Sequence, residues 1–353
     1  MTTADNIVSL ERQKFYDEIG LHSLAPLWQS LHSLVPARPN SPARPVKWDY
    51  DRVVREHIFR AGELLTAQEA ERRVLILENP GLPGRASITH SLYAGLQLVK
   101  PGEIARAHRH TQSALRFVVE GHGAYTTVDG ERVNMYPGDL VLTPSWRWHD
   151  HGNESAEPMV WLDGLDIPML AFFDAGFQEA GRAASQVEVR AAGHSAARFG
   201  NNMLPIDWSP EDKSSPLLRY PYDRSSEALA AMARAGPPDP AHGYKFRFVN
   251  PASGGSPMPT IAAYIQRLPA GFSSIPYRST DGTVFSVVEG SGESEIGGQR
   301  FTWKPRDIFV VPSWENVVHH CDTEATLFSF SDRVVQEAMG IWRERRGSIG
   351  DEQ

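Results

Sequence analysis

The chain has a single cysteine, Cys321, among its 353 residues. One thiol excludes an intramolecular disulfide framework and any zinc site built from cysteines. Also missing is a run of the roughly 18 apolar residues that a membrane-spanning helix requires. The opening residues, MTTADNIVSLERQ, contain no apolar stretch of the kind that drives secretion. These absences point to a cytoplasmic protein with no membrane partner. Positive charge is in deficit, with a formal net charge of −8. That balance argues against nucleic acid as a partner, and it requires any anionic ligand to be met by locally placed arginines.

Turn-forming residues are plentiful: 29 glycines and 26 prolines favour a β-rich architecture over a helical bundle. Residues 1–40 read as helical, with Ile7, Leu10, Phe15, Ile19, Leu27 and Leu31 as periodic apolar positions until Pro36 and Pro39 break the pattern. A proline-rich connection leads into Tyr50–Ala70, where helix-like and strand-like signals mix. From Arg73 the texture changes to short β-type runs (RVLILEN, SLYAGLQLV, LRFVVEG, AYTTV, DLVLTP, PMVWLDGL) separated by turns such as Pro101-Gly102, Asp129-Gly130 and Pro137-Gly138. Strands so closely spaced suggest a sandwich or barrel. Residues 170–250 are irregular apart from SSEALAAMARAG, read as a helix behind a serine cap that stops at Gly236. β texture then returns, and RVVQEAMGIWRERRG closes the chain as a helix.

The second β region repeats the first. LRFVVEGHG matches TVFSVVEGSG and DLVLTPSW matches DIFVVPSW, and the interval from Glu120 to Pro144 nearly equals that from Glu289 to Pro312. Two similar segments at matched internal spacing indicate a duplicated domain.

Only the first copy carries a metal constellation. His108 and His110, at i and i+2, share one face of a strand and can converge on one ion. His149 in TPSWRWHDHGN is the candidate third ligand. Such a set suits iron, zinc, copper or nickel and leaves coordination positions open. With Gly271 matched to Gly102 and Pro312 to Pro144, the second copy has Tyr277, Ser279 and Val317 at the three ligand positions. His319 and His320 are adjacent and point to opposite strand faces, so one metal per chain is expected. Trp146 and Trp148 read as core, and Glu120 as a solvated or turn-capping residue.

Gly102 through His108-x-His110 to Gly121, and Gly138 through Pro144 to His149 and Asn153, resemble the two cupin motifs. The resemblance covers roughly 85–168 and 256–332. It implies a mainly β bicupin: two jelly-roll β-barrels with an N-terminal helical extension (1–84), a metal-binding cupin (85–168), a linker with a helix (169–255), a degenerate metal-free cupin (256–332) and a C-terminal helix and tail (333–353). The glutamate that many cupins add as a fourth ligand is replaced by Ala114 and Leu115, which counts against oxalate-processing cupins.

YAGLQLVKPGEIARAHRHTQSALRFVVEG, DGERVNMYPGDLVLTPSWRWHDHGN and VWLDGLDIP resemble the gentisate 1,2-dioxygenases and the related salicylate and 1-hydroxy-2-naphthoate dioxygenases. This implies one Fe(II) per chain, a small aromatic carboxylate and O2 as reactants, cleavage between C1 and C2 of gentisate to maleylpyruvate, a place in aromatic catabolism, and a homotetramer. Arg116 is the expected clamp on the carboxylate, because a guanidinium can grip it with two parallel bonds. Arg72 matches a second arginine reaching the substrate. His151, at i+2 from His149, is expected to touch substrate or to act as an acid/base. Tyr93 and Gln97 share a strand face and are expected to line the pocket, and some salicylate-cleaving relatives have tryptophan where Tyr93 stands. Asp163 is a candidate for substrate binding or, with Asp166, for orienting a ligand imidazole. The competing readings are salicylate or 1-hydroxy-2-naphthoate as substrate, a non-catalytic ligand-binding bicupin, and a zinc-dependent cupin isomerase.

Overall fold

The computed structural model describes residues 3–347. It divides into two compact units, residues 1–40 and 41–353. The first is a pair of helices, Thr3–Leu21 and Leu27–Leu34, tied within the unit by Trp28 Nε1 donating to Tyr16 Oη at 3.0 Å. Among the described residues no helix is long and apolar enough to cross a membrane.

The second unit holds both β regions, each built from two facing sheets. In the first, a six-stranded sheet runs Arg219–Tyr220, Leu140–Thr143, Ala114–Glu120, Met159–Leu165, Tyr93–Val99, Val74–Ile76. It faces a five-stranded sheet ordered Gln178–Ala180, Ile104–His110, His149–Asn153, Ala124–Val128, Glu131–Asn134. The second region repeats the plan: Ile308–Val311, Thr283–Glu289, Ala325–Ser331 and Ala262–Leu268 form the matching large sheet, and Val317–Cys321 pairs with Tyr277–Ser279 in the other. Even a local irregularity recurs, since Trp146 and Trp314, the tryptophans of the two Pro-Ser-Trp turns, both take positive φ (62° and 64°).

The two large sheets pack back to back, which the period-2 alternation of strands makes possible. In Tyr93–Val99, Ala94, Leu96 and Leu98 point into a core shared by both barrels; in Ala114–Glu120, Leu115 and Phe117 do so; in Met159–Leu165, Val160 and Leu162. From the other barrel come Ile265, Val284, Ile308, Val310, Phe328 and Phe330. Phe117 and Phe328 stack across this core with centroids 4.0 Å apart and planes 5° apart. Gly164 is required here, because a Cβ at that position would sit 2.8 Å from the Phe330 ring. The alternate residues on the same strands, among them Gln97, Arg116 and Asp163, are left facing the interior of the first barrel.

Segments outside the motifs knit the barrels together. Val46–Trp48 adds an edge strand to the second barrel by pairing with Ile308–Val311, whereas Val74–Ile76 pairs with Tyr93–Val99 of the first. Tyr50, fully buried between them, donates its hydroxyl to Glu120 at 2.8 Å, and Arg55 grips the same carboxylate at 2.7–3.0 Å. Glu120 is therefore an anchor for the N-terminal segment and not the solvated or turn-capping residue expected from its place beside a glycine.

Three further expectations need correction. The linker helix spans Tyr222–Ala235, starting ahead of its serines; Pro221 precedes it and Ser225 Oγ bonds back to Pro221 O at 3.1 Å. Among the described residues at the C-terminal end only Arg333–Ala338 is helical; Gly340 follows with φ 73°, and Glu344–Arg346 forms a strand against Tyr277–Ser279. Trp146 and Trp148 are half-buried, lying under the Arg109 guanidinium at 4.4 and 4.8 Å from its carbon. A cation over an aromatic face is favourable at the protein surface, so these rings lie outside the core.

Candidate metal centre

His108 and His110 lie on strand Ile104–His110, and His149 opens strand His149–Asn153, directly opposite His108 in the antiparallel register. Cross-strand neighbours of this kind have close Cβ atoms, so the strand pairing itself brings the rings together. One nitrogen from each ring lies within 4.8 Å of the others, and this is the only such cluster of potential ligands among the described residues. The ring of His108 is 4.0 Å from that of His149, and His110 is 4.7 Å from His149.

Each Nδ1 is engaged by a backbone carbonyl: His108 by Arg106 O at 2.9 Å, His110 by Gln112 O at 2.8 Å, His149 by Arg147 O at 2.9 Å. A carbonyl can only accept, so Nδ1 carries the proton and Nε2 keeps its lone pair, the state a metal ligand needs. Nε2 of His149 is buried with no hydrogen-bond partner. A buried acceptor left unpaired is costly, and a bound cation resolves it. Burial, reinforced by the charges of Arg72 and Arg116, drives His108 down to about 3 and His110 to about 4; His149 is held well below the usual histidine range by the same burial. The rings are thus neutral donors at physiological pH. The residues present fit a divalent first-row metal.

The histidines stand in the wall of a cavity of about 510 Å³, also bounded by Arg72, Tyr93, Gln97, Arg116 and Asp163. Arg116 is 4% exposed. Its Nη1 donates to Thr143 Oγ1, its Nη2 to His151 Nε2 at 3.0 Å, and its Nε lies 3.6 Å from Asp163 Oδ1. Desolvation lowers this guanidinium to about 10, opposed by the Asp163 charge, so it stays protonated. Burial pushes the Asp163 carboxyl up to about 6, against the pull of Arg116 and a bond from Trp161 Nε1 at 3.0 Å. Arg72 enters from the turn before Val74 and feels the Asp163 charge. Two arginines, one aspartate and a metal site without carboxylates make this a cavity for an anion.

Other expected residues stand elsewhere. His151 is buried but does not line the cavity; it accepts from Arg116 and packs its ring 5.6 Å from Trp161. Asp166 takes bonds from Ser113 N at 3.0 Å and Thr260 Oγ1 at 2.5 Å, which fixes the loop after strand Met159–Leu165. Neither aspartate orients a ligand imidazole, because backbone carbonyls already hold all three rings. The sequence reading missed Thr143, Phe177 and Gln178. Thr143 was recoverable from alternation along DLVLTP. Gln178–Ala180 was not, since this strand, paired with His108–His110, has no β pattern of its own.

Paired β-barrels, one with a three-histidine site opening on a cationic cavity, define a bicupin with a single candidate metal centre. Comparison with known proteins agrees. A cupin domain model matches residues 95–165. Gentisate 1,2-dioxygenase 1 of Aquipseudomonas alcaligenes is 54% identical, covering 96% of this chain and 97% of that one. The 5-aminosalicylate 1,2-dioxygenase of a Comamonas species is 35% identical over 94% of this chain and 89% of that one. The crystal structure of salicylate 1,2-dioxygenase from Pseudoaminobacter salicylatoxidans with gentisate superposes with a TM-score of 0.90 at 36% identity, covering 95% and 94% of the two chains. The chain belongs to the gentisate 1,2-dioxygenase family, and it is a ring-cleaving dioxygenase.

Proposed function

We propose that this enzyme cleaves gentisate between C1 and C2 with O2, giving maleylpyruvate, at one Fe(II) held by His108, His110 and His149. The observation that carries the reading is the convergence of three neutral imidazoles on the wall of a cavity that also presents two arginines. When bound, ferrous iron supplies a Lewis acid and an electron conduit between the aromatic ring and O2. A site with no carboxylate ligand favours an anionic chelating substrate over water.

The protein's own residues bind and orient. Arg116 and Arg72 hold the substrate carboxylate, and a buried charge-assisted pair is strong because little solvent screens it. His151 and Thr143 fix the Arg116 side chain in one rotamer, so His151 acts as a positioning residue. Tyr93 and Gln97 offer hydrogen bonds to ring hydroxyls, while Val74, Ile76 and Leu165 supply apolar wall. The charge of Asp163 acts favourably on both guanidiniums and offsets their mutual repulsion. We place the reaction in aromatic catabolism in the cytoplasm, and the active assembly as a homotetramer.

Salicylate, 5-aminosalicylate and 1-hydroxy-2-naphthoate are the second reading, favoured by the size of the cavity, about 510 Å³, and by a relative that acts on 5-aminosalicylate. The test loads the protein anaerobically with Fe(II), admits oxygen, and follows O2 uptake and the absorbance of the ring-opened product with each acid. Gentisate giving the highest kcat/KM supports the proposal. Turnover of the monohydroxylated acids without gentisate turnover overturns it.

A further inference from the structure

The second barrel keeps the frame of the first without its ligands. Tyr277 pairs with Val317 as His108 pairs with His149, and Phe285 sits across from Ser329 as Arg116 sits across from Asp163. Loss of a metal would allow such a barrel to fill with side chains. Instead it encloses a cavity of about 550 Å³, against about 510 Å³ in the first barrel.

The wall of this cavity is polar at one place and apolar at another. Gln266 occupies the position of Gln97, five residues before the matching glycine (Gly271 for Gly102). It is 1% exposed, and neither its amide nitrogen nor its amide oxygen has a hydrogen-bond partner. Lys245 is its partner in the register of the adjoining strand, Tyr244–Arg247. The ammonium lies 4.9 Å from the Tyr264 ring centroid and 5.9 Å from that of Phe285, and no hydrogen bond or ion pair holds it among the described residues. Burial lowers it to about 8, with Asp281 and Asp239 opposing and Arg333 and Arg346 assisting, so it is cationic at neutral pH. Other charges of the wall are engaged: Arg346 with Asp239 at 2.8 Å, Arg333 with Glu337 at 2.7 Å, and Asp281 with the indole N–H of Trp342 at 2.9 Å, while Arg247 donates to Gly254 O at 3.2 Å and Arg278 lies over the Trp314 ring at 4.8 Å. Phe285, Val311 and Val317 form the apolar part of the wall.

A half-buried ammonium and a buried amide, both without hydrogen-bond partners, are groups that a ligand would complete. We propose that the second barrel is a metal-independent binding site for a small organic monocarboxylate, with the carboxylate on Lys245, a neighbouring polar group on Gln266, and the hydrocarbon body against Phe285, Val311 and Val317. An ammonium that no hydrogen bond or ion pair holds, set beside apolar wall, favours such a molecule over an inorganic polyanion. No bond is made or broken there.

The test is anaerobic titration calorimetry of the Fe(II)-loaded enzyme with benzoate and with butyrate, which separate an aromatic from an aliphatic source of the carboxylate. The wild type should show a binding event that survives Arg116→Met in the first barrel and is weakened at least tenfold by Lys245→Met. Gln266→Leu, close in volume, should weaken the same event about tenfold and stands in if Lys245→Met fails to fold by thermal melting. Binding confined to one event that Arg116→Met abolishes and Lys245→Met and Gln266→Leu leave untouched overturns the proposal, as does no binding of either acid outside the first barrel.

Discussion

Arg116→Met probes the charge logic of the first cavity. The guanidinium is 4% exposed and is held by Thr143, His151 and Asp163, so it is already oriented before substrate arrives. Truncating one member of a buried, hydrogen-bonded charge pair costs about 2–5 kcal/mol. Taking about 3–4 kcal/mol for a carboxylate that keeps Arg72, kcat/KM should fall roughly 10²- to 10³-fold, at about 1.4 kcal/mol per tenfold. Most of that loss should appear in KM, since the clamp binds ground state and transition state alike. The fold should survive. Asp163, already raised to about 6, loses the main cation that lowers it and takes up a proton, which relieves the buried negative charge. Arg116→Lys keeps the charge without the fork and should fall between the two. The assay is steady-state oxygen uptake with gentisate, alongside iron analysis of each preparation. If Arg116→Met retains kcat/KM within threefold of wild type, or loses its iron, Arg116 is not the carboxylate clamp.

Phe328→Ala should destabilise the protein by about 3–5 kcal/mol, the usual cost of deleting a fully buried phenylalanine, because its ring stacks on Phe117 across the shared core. Differential scanning calorimetry should show one lowered transition for residues 41–353; an unshifted melting temperature would mean that the two barrels do not share a core. His319→Ala should leave iron content at the wild-type level, since His319 is buried beside Ser294, 2.8 Å from its Nδ1 to the hydroxyl, and belongs to no ligand cluster among the described residues. Iron lost in that variant by plasma mass spectrometry would place a metal in the second barrel.

The site's chemistry was legible because it rests on strand geometry. His-x-His fixes two side chains on one face, and the duplication showed which copy had kept the pattern. Arg116, Tyr93, Gln97 and Asp163 could be read for the same reason, since alternation along a strand sends them to the side opposite Leu115, Leu96 and Leu162. What could not be read depends on contacts distant in sequence. Nothing in Val46–Trp48 says that it pairs with Ile308–Val311, and nothing in Gln178–Ala180 says that it borders the metal strand. His151 looked like a cavity residue by its i+2 spacing from His149, but its Nε2 is taken up by Arg116, which lines the cavity in its place. Helix ends failed through local rules applied too early: serines inside a first turn can bond backward to the backbone instead of capping, and Gly340 in AMGIW was a stop signal ahead of the polar tail.

The most direct test is the metal content of wild type and His110→Ala after anaerobic loading with Fe(II) and removal of free metal by gel filtration. Convergence of three imidazoles predicts a single ferrous ion in each wild-type chain and almost none in the variant, with both proteins melting as folded species. Equal iron in the two would contradict the assignment of the centre to His108, His110 and His149.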